Sequence, residues 1–175
     1  MNVTLLKKIA RAAGHGVAIG LLLAATVARP QQTPNPYQMT SAYGMPVSLA
    51  NAKKAAAAAV AEATKNGWTM VIAIVDPDGT LIFYEKMDNT QLGSATVAID
   101  KARSAALFKR PSKAFEDMLG EGGSSARYLK LGAALPIEGG IPLVMDGKIV
   151  GAIGVSGGKS AQDAHCAQVG ADALK

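Results

Sequence analysis

A single histidine is the most versatile chemical group of this 175-residue sequence. The two histidines are His15 and His165, and His15 lies in an apolar N-terminal leader. His165 therefore supplies the imidazole of the remaining chain, which rules out a two-histidine metal motif there. At the edge of a helix face, this imidazole is either a partly solvated packing residue or a ligand, such as an axial ligand of haem iron. A Cys-x-x-Cys-His run is absent, which excludes covalently attached c-type haem.

A second candidate is the glycine-rich stretch 154–160, which joins a predicted strand to a predicted helix. Phosphate groups bind at such helix N-termini, but a Walker A loop requires a glycine five residues before its Gly-Lys pair. Ile153 occupies that position. The spacing therefore excludes nucleotide binding and leaves two alternatives, a tight strand-to-helix turn and a less specific anion or carboxylate site at Ser160.

Glycines also interrupt the most apolar region, 135–160, where Asp146-Gly147 predicts a type I′ turn between two antiparallel strands. Each glycine inside a strand costs about 0.5–1 kcal/mol relative to alanine. A bulge, a closely packed helix or a ligand near the backbone would explain their presence. If a ligand binds, its contacts are predicted at the two ends of the hairpin, namely Glu138, Gly139 and Gly140 at the entry and Ser156, Gly157 and Gly158 at the exit.

The elements that must position these residues follow from hydrophobic periodicity and from turn residues. Tight turns between consecutive strands predict an antiparallel sheet, and the helices must then pack on its faces, so the predicted fold class is α+β. In chain order we predict a helix over 48–66, strands over 68–75 and 80–87, a helix over 94–108, a short helix over 112–119, a flexible loop from 120, the 135–160 hairpin, and a final helix over 161–174 capped by Ser160.

The N-terminal region reads as a targeting segment. Basic residues, a short apolar run and a small-residue exit predict a signal peptide over residues 1–28, which places the protein in the periplasm or outside the cell. A proline-rich linker over 29–46 then leads into a domain over 47–175. The apolar run is short for a membrane span, so no membrane association beyond the leader is expected. The lone Cys166 cannot form an internal disulfide.

The charge of the chain argues against a nucleic-acid partner. The formal net charge is +5, but three of the 18 basic residues belong to the leader. Without them, 15 basic residues face 13 acidic ones, and the net charge falls to +2. No basic stripe with interleaved aromatic residues remains, so nucleic-acid binding is not expected.

Several motifs in series resemble the GlcG/HbpS-like haem-binding family. The resemblance covers residues 46–175, and its specificity lies in the ordered series. The motifs are SLANAK from Ser48, VDPDG from Val75, AIDKARSAA from Ala98, EGGIP from Glu138 and IGVSGGKSAQD from Ile153.

The resemblance implies a profilin-like α+β domain, an antiparallel sheet flanked by helices, that assembles into homo-oligomers. Some members of the family are secreted or periplasmic and bind haem, a related domain is fused to corrinoid adenosyltransferases, and others accompany glycolate utilisation. Haem is therefore the cofactor that the resemblance implies. His165, the one imidazole outside the leader, is our candidate iron ligand. We add Lys101, from the motif that begins at Ala98, to the candidate cofactor contacts.

These observations leave three functions open. The first is a periplasmic or secreted haem-binding protein that acts in haem sensing, storage or scavenging without catalysis. The second is an accessory module that binds another small molecule, such as an organic acid or a corrinoid-related compound. The third is a haem-degrading enzyme, which is the weakest because no metal cluster or dinucleotide fingerprint is present and no catalytic residue is assigned.

Overall fold

The computed structural model describes residues 41–175. The predicted signal peptide and residues 29–40 of the predicted linker lie outside this range. The described part contains four α-helices, one 3-10 helix and four strands. In chain order they are α1 (Leu49–Lys65), β1 (Val71–Val75), β2 (Leu81–Lys86), α2 (Ser94–Leu107), α3 (Lys113–Gly120), the 3-10 helix (Gly123–Lys130), β3 (Gly140–Met145), β4 (Lys148–Ser156) and α4 (Ser160–Asp172).

The strands form one antiparallel sheet in the order β2-β1-β4-β3. Two tight turns set this topology. Asp146 and Gly147 have φ angles of 49° and 72°, the left-handed pair that a type I′ turn requires. In the β1–β2 turn, the Asp76 carboxylate accepts hydrogen bonds from the backbone amides of Asp78 and Thr80 at 2.9 and 2.8 Å. The predicted α+β class, an antiparallel sheet flanked by helices, is confirmed.

Helices cover both faces of the sheet. Alternate residues of β1 face opposite layers: Ile72 and Ile74 pack in the main core with α1 and α4, and Val75 packs with alanines of α2. Alanine dominates the buried faces of α1 and α2, which lets these helices approach the sheet closely. Because β1 is buried on both faces, it is apolar throughout, without the alternation of a half-exposed strand.

Two glycines in the β3–β4 hairpin are explained by the packing of α2. Gly140 and Gly154 are opposite each other in the ladder. A Cβ atom at Gly154 would lie 2.0 Å from the carbonyl oxygen of Ala98, and one at Gly140 would lie 2.1 Å from that of Lys101. The backbone of α2 therefore rests directly on these positions. Of the three explanations for the glycines, close helix packing applies here, and a register shift after Leu143 adds a bulge to the same hairpin.

Several predicted element ends shift in the structure. The first strand was expected from Trp68 but begins at Val71, because the Trp68 amide donates to Ala63 and closes the end of α1. The expected flexible loop after residue 120 contains the 3-10 helix, whose Tyr128 ring packs edge-on against Phe115. Ser160 was expected to cap the last helix, but the N-cap is Lys159.

Residues 42–47 pack against the start of β4. The amide of Gly44 donates to Ile149 at 2.8 Å, and that of Val47 donates to Val150 at 2.7 Å. The Tyr43 hydroxyl also donates to the carbonyl oxygen of Ala106 at 2.9 Å. The last residues of the predicted linker are therefore part of the folded domain. Within residues 41–175, no helix has the length and hydropathy needed to cross a membrane.

Candidate functional site

A buried ion pair between Lys101 and Asp163 lies close to several of the predicted site residues. Nζ of Lys101 on α2 lies 2.7 Å from Oδ2 of Asp163 on α4, and these side chains are 1% and 3% exposed. The same ammonium donates to the carbonyl oxygen of Val155 at 3.1 Å, and Oδ1 of Asp163 accepts from the amide of Gly158 at 2.9 Å. The pair thus joins α2, β4 and α4.

Burial and hydrogen bonding have opposite effects on the pKa of the Asp163 carboxylate. Desolvation raises the pKa of Asp163 above its ordinary value, whereas the Lys101 ammonium and the amides of Gly158 and Gly157 favour the charged form. Removing one partner of such a pair leaves an uncompensated buried charge, which costs about 3–5 kcal/mol. Lys101 therefore helps to hold α4 in place, and its predicted contact with a cofactor stays a prediction.

The glycines predicted at the ligand rim are closely packed. A Cβ atom at Gly139 would lie 2.8 Å from the Val155 carbonyl oxygen and 2.9 Å from Nζ of Lys101, and one at Gly157 would lie 2.2 Å from the Thr69 carbonyl oxygen. These positions require glycine because neighbouring atoms fill the space. A ligand contact at this rim stays a prediction.

The entry of the hairpin is held by α3. The amide of Glu138 donates to the Glu116 carboxylate at 2.8 Å, and the amide of Gly140 donates to Oγ of Ser112 at 2.8 Å. Ser112 occupies the N-cap position of α3, but its hydroxyl makes no cap bond and donates instead to the Ile137 carbonyl oxygen at 2.7 Å. Glu116, one of several clustered acidic residues, thus has a local structural partner.

The N-terminus of α4 already has its own acceptors. Besides the bond from Gly158 to Asp163, the amide of Lys159 donates to Oε1 of Gln162 at 2.9 Å. These side chains occupy the positions that an anion near Ser160 would need. An anion site at this helix end, left open by the sequence, would therefore have to displace them.

The serine at the end of β4 also fits a catalytic spacing. Gly154, Ser156 and Gly158 match the G-x-S-x-G spacing of a nucleophile elbow. Ser156 is 4% exposed, however, and its hydroxyl donates to Oγ of Ser94 at 3.2 Å. The only imidazole among residues 41–175 is bonded to Glu62, so the described part of the chain brings no histidine to this hydroxyl.

His165 lies apart from the rim, beside α1. Its side chain is 53% exposed, and its Nε2 atom lies 2.9 Å from Oε1 of Glu62. The Trp68 ring stands edge-on to the imidazole with centroids 6.3 Å apart. Because a carboxylate only accepts hydrogen bonds, the neutral ring carries its proton on Nε2, which leaves the Nδ1 lone pair free.

Hydrogen bonds to the Glu62 carboxylate keep it charged. Bonds from His165, Asn66 and Lys65 lower the pKa of Glu62 to about 2. A histidine that donates one ring N–H to a carboxylate while the other nitrogen stays free is the usual arrangement of a metal ligand. A haem iron already has four porphyrin nitrogens, so one imidazole is a sufficient protein ligand. The type and number of donors at His165 therefore fit haem, and the nitrogen that is free in this orientation is Nδ1.

Sequence reasoning missed a cleft along α2, which we call the α2 cleft. It comprises two adjoining hollows of about 360 and 340 Å³ that share the side chains of Asp100 and Arg103. One hollow is lined mainly by apolar side chains, including Leu81 and Tyr84 of the edge strand β2, and the other by residues 132–135. The only sequence signal was that apolar residues occupy both faces of the predicted second strand. None of the predicted site residues lines the α2 cleft.

The structure offers no multi-ligand metal centre within residues 41–175. No group of three or more His, Cys, Asp and Glu side chains there is arranged to hold an ion. The free thiol of Cys166 is buried, and desolvation raises its pKa to about 11, which disfavours the thiolate that a metal would need.

Comparison with known proteins shows to which family the chain belongs. The model of the family described as "Haem degrading protein HbpS-like" matches residues 47–172. The chain belongs to the HbpS-like family. The resemblance seen in the ordered motifs is therefore confirmed.

Individual relatives of this HbpS-like chain agree with that assignment. Protein GlcG of Escherichia coli K12 is 39% identical over 100 residues, which is 57% of this chain and 73% of GlcG. A crystal structure of HbpS is similar with a TM-score of 0.70 and 28% identity, covering 78% of this chain and 95% of that one. A crystal structure of a PduOC:heme complex has a TM-score of 0.68 and 28% identity, covering 75% and 96%.

Proposed function

We propose that this HbpS-like domain binds haem in an exported compartment and serves in haem sensing, storage or scavenging. The observation that carries the proposal is the half-exposed imidazole of His165, whose Nε2 atom is held by Glu62 at 2.9 Å. Bound haem would supply the redox-active iron, and the protein would supply the axial imidazole.

The surroundings of His165 support this role. Glu62 stays anionic at neutral pH because its pKa is about 2, so the imidazole keeps one tautomer and one orientation. Trp68 presents an aromatic edge beside the ring. Within the described residues, His165 thus combines a free ring nitrogen, an orienting carboxylate and an aromatic neighbour.

The relatives support the same ligand. PduOC, 28% identical in sequence, has been crystallised as a complex with haem, and its chain is almost fully covered by the match. The described family carries haem in its name. Transfer of this ligand to the present chain is our proposal, and it rests on the shared fold together with the local chemistry of His165.

Hemin titration tests the proposal. Purified protein lacking residues 1–28 should give a saturable Soret shift at one haem per chain. His165→Ala should lose the spectrum of an imidazole-ligated iron, whereas Gln168→Ala, a change on the exposed side of the same helix, should leave it unaltered. Absence of a saturable shift in the wild-type protein would refute haem binding, and an unchanged His165→Ala spectrum would refute the axial ligand.

A second candidate function is haem degradation. It is favoured by the description of the matching family, which names haem-degrading proteins. Aerobic incubation of the haem-loaded protein with a reductant tests it, with catalase present to remove free peroxide. Loss of the Soret band at a rate faster than that of free hemin would support degradation, and a stable band would favour binding alone.

Export and assembly belong to the same proposal. The predicted leader supports export, which mass spectrometry of the N-terminus after cell fractionation would test. Homo-oligomer formation is supported by apolar side chains that are strongly exposed in the single chain, such as Leu92 at 84% and Leu129 at 63%. Light scattering at micromolar concentration should give a mass above 17.9 kDa, and a monomer would contradict the assembly.

A further inference from the structure

We propose that the α2 cleft binds an apolar carboxylic acid, with Arg103 as the contact for the carboxylate. This proposal goes beyond haem binding at His165, which lies with α1 and α4 on the opposite face of the sheet. The chemistry it names is an apolar body that carries a carboxylate. A free organic acid and the propionate side chains of haem both have this chemistry, and the experiment below distinguishes them.

The first observation is the apolar wall of the α2 cleft. Leu81 and Tyr84 project from the edge strand β2 and are 39% and 37% exposed, and Ile99 of α2 lies beside them in the same hollow of about 360 Å³. These side chains form a shallow apolar hollow that is widely open to solvent, whereas isolated exposed apolar residues are common and need no explanation. A concave apolar surface with a nearby polar group is the usual form of a small-molecule site.

The second observation is the fixed position of Arg103. Its Nε atom donates to the carbonyl oxygen of Gly79 in the β1–β2 turn at 3.1 Å. A Cβ atom at Gly79 would lie 3.4 Å from Cγ of Arg103, so the turn packs against the arginine stem. The guanidinium is therefore anchored at the junction of the two hollows before any ligand arrives, which reduces the entropy lost on binding.

The third observation is the set of donors that remain on Arg103. A guanidinium has five N–H groups, and within residues 41–175 the Gly79 carbonyl is the only acceptor bonded to it. The carboxylate of Asp100 lies 3.8 Å from Nη1, which is an ion pair too long for a hydrogen bond. A ligand carboxylate can therefore bind the guanidinium away from Asp100, although Asp100 repels it.

The fourth observation is that the far side of the cleft is held in place. The hydroxyl of the buried Ser104 donates to the carbonyl oxygen of Ala133 at 2.8 Å and accepts from the amide of Leu135 at 2.5 Å. These bonds attach residues 133–135 to α2. The second hollow, of about 340 Å³, is therefore formed by the fold itself.

Calorimetric titration with 2-naphthoate tests the proposal. The wild-type protein should bind it in a 1:1 ratio, and the neutral analogue 2-naphthalenemethanol should bind about tenfold more weakly, because the charge-assisted hydrogen bond is lost. Arg103→Gln should weaken naphthoate binding by about tenfold. Asp100→Asn should strengthen it by about two- to threefold, because the repulsion is removed. Lys54→Gln, which removes a positive charge from the exposed side of α1, should change nothing.

The same variants titrated with hemin separate the two ligand sources. If only naphthoate binding responds to Arg103→Gln, the cleft takes a free acid. If hemin binding also weakens about tenfold, the cleft takes haem propionates, and the haem then lies on this face of the sheet and not at His165. Both results support the proposal for the cleft. Two results overturn the proposal. The first is that naphthoate does not bind and that Arg103→Gln leaves hemin binding unchanged. The second is that naphthoate binds with the same affinity to the wild-type protein, to Arg103→Gln and to Asp100→Asn. If the wild-type protein gives no Soret shift with hemin but binds naphthoate as expected, the proposal of haem binding fails and the proposal for the α2 cleft stands.

Discussion

Replacing Lys101 by methionine should destabilise the domain strongly. Methionine keeps the length and most of the volume of the side chain but removes the ammonium that lies 2.7 Å from Asp163. Both side chains are almost fully buried, so the carboxylate would lose its counter-ion without gaining water. We expect Lys101→Met to lower the free energy of unfolding by about 3–5 kcal/mol. For a domain of this size, that corresponds to a melting temperature lower by about 10–20 °C.

A double-mutant cycle separates the ion pair from simple packing. Asp163→Asn keeps an oxygen that can accept the hydrogen bond from Gly158 but removes the charge. The double variant Lys101→Met, Asp163→Asn contains no buried charge, so it should recover most of the stability lost in Lys101→Met. Urea denaturation monitored by circular dichroism measures all four proteins, and the coupling should reach about 2–3 kcal/mol.

The outcome that contradicts this reasoning is specific. If Lys101→Met unfolds within 1 kcal/mol of the wild-type protein, the pair does not hold the domain together. If the double variant is as unstable as the sum of the single variants, the loss comes from packing and not from an unpaired charge. Either result would remove the structural role that we assign to the Lys101–Asp163 pair.

Further predictions concern packing, pH and reactivity. Gly154→Ala should destabilise the domain by about 1–3 kcal/mol, because the new Cβ would lie 2.0 Å from the Ala98 carbonyl oxygen. Gly132→Ala is the control, since a Cβ there would have no atom within 4 Å. Equal stabilities of the two variants in urea denaturation would contradict the prediction. The pKa of Glu62 is lowered from 4.5 to about 2, so the charged Glu62 stabilises the folded domain above pH 4.5, and this contribution is lost as the pH falls towards 2. Glu62→Gln should reduce the dependence of the free energy of unfolding on pH between 4.5 and 2. An unchanged dependence would show that Glu62 does not cause it. Cys166 is buried and the pKa of its thiol is raised to about 11, so the thiol should react with a thiol reagent at pH 8 only after denaturation. Rapid labelling of the native protein would contradict the burial of Cys166.

The sequence predicted the helices, strands and turns where local chemistry decides them. Ser48 caps α1 by accepting from the Asn51 amide at 3.2 Å, and Gly67 takes the positive φ angle expected after that helix. Asp146-Gly147 forms the expected hairpin turn. These features depend on a few consecutive residues, so a single sequence is enough to find them.

The polar residues at the ends of elements were less predictable. Ser112 and Asp163 both lie at the start of a helix, where polar side chains usually cap the helix, and both also bond to distant partners, the β3 entry and Lys101. The capping pattern in the sequence is the same in either case. Only the tertiary structure determines which partner is nearest, because the competing groups are 28 and 62 residues away.

The sequence alone therefore determined the fold class and the family, and it limited the candidate iron ligands outside the leader to one histidine, because each of these depends on residue type and local order. The tertiary structure decided what those residues contact. It placed Lys101 in a buried pair, turned His165 towards Glu62 and assembled the α2 cleft around Arg103. Each of these contacts joins elements that are distant in the chain, and the packing of helices on both faces of the sheet brings them together.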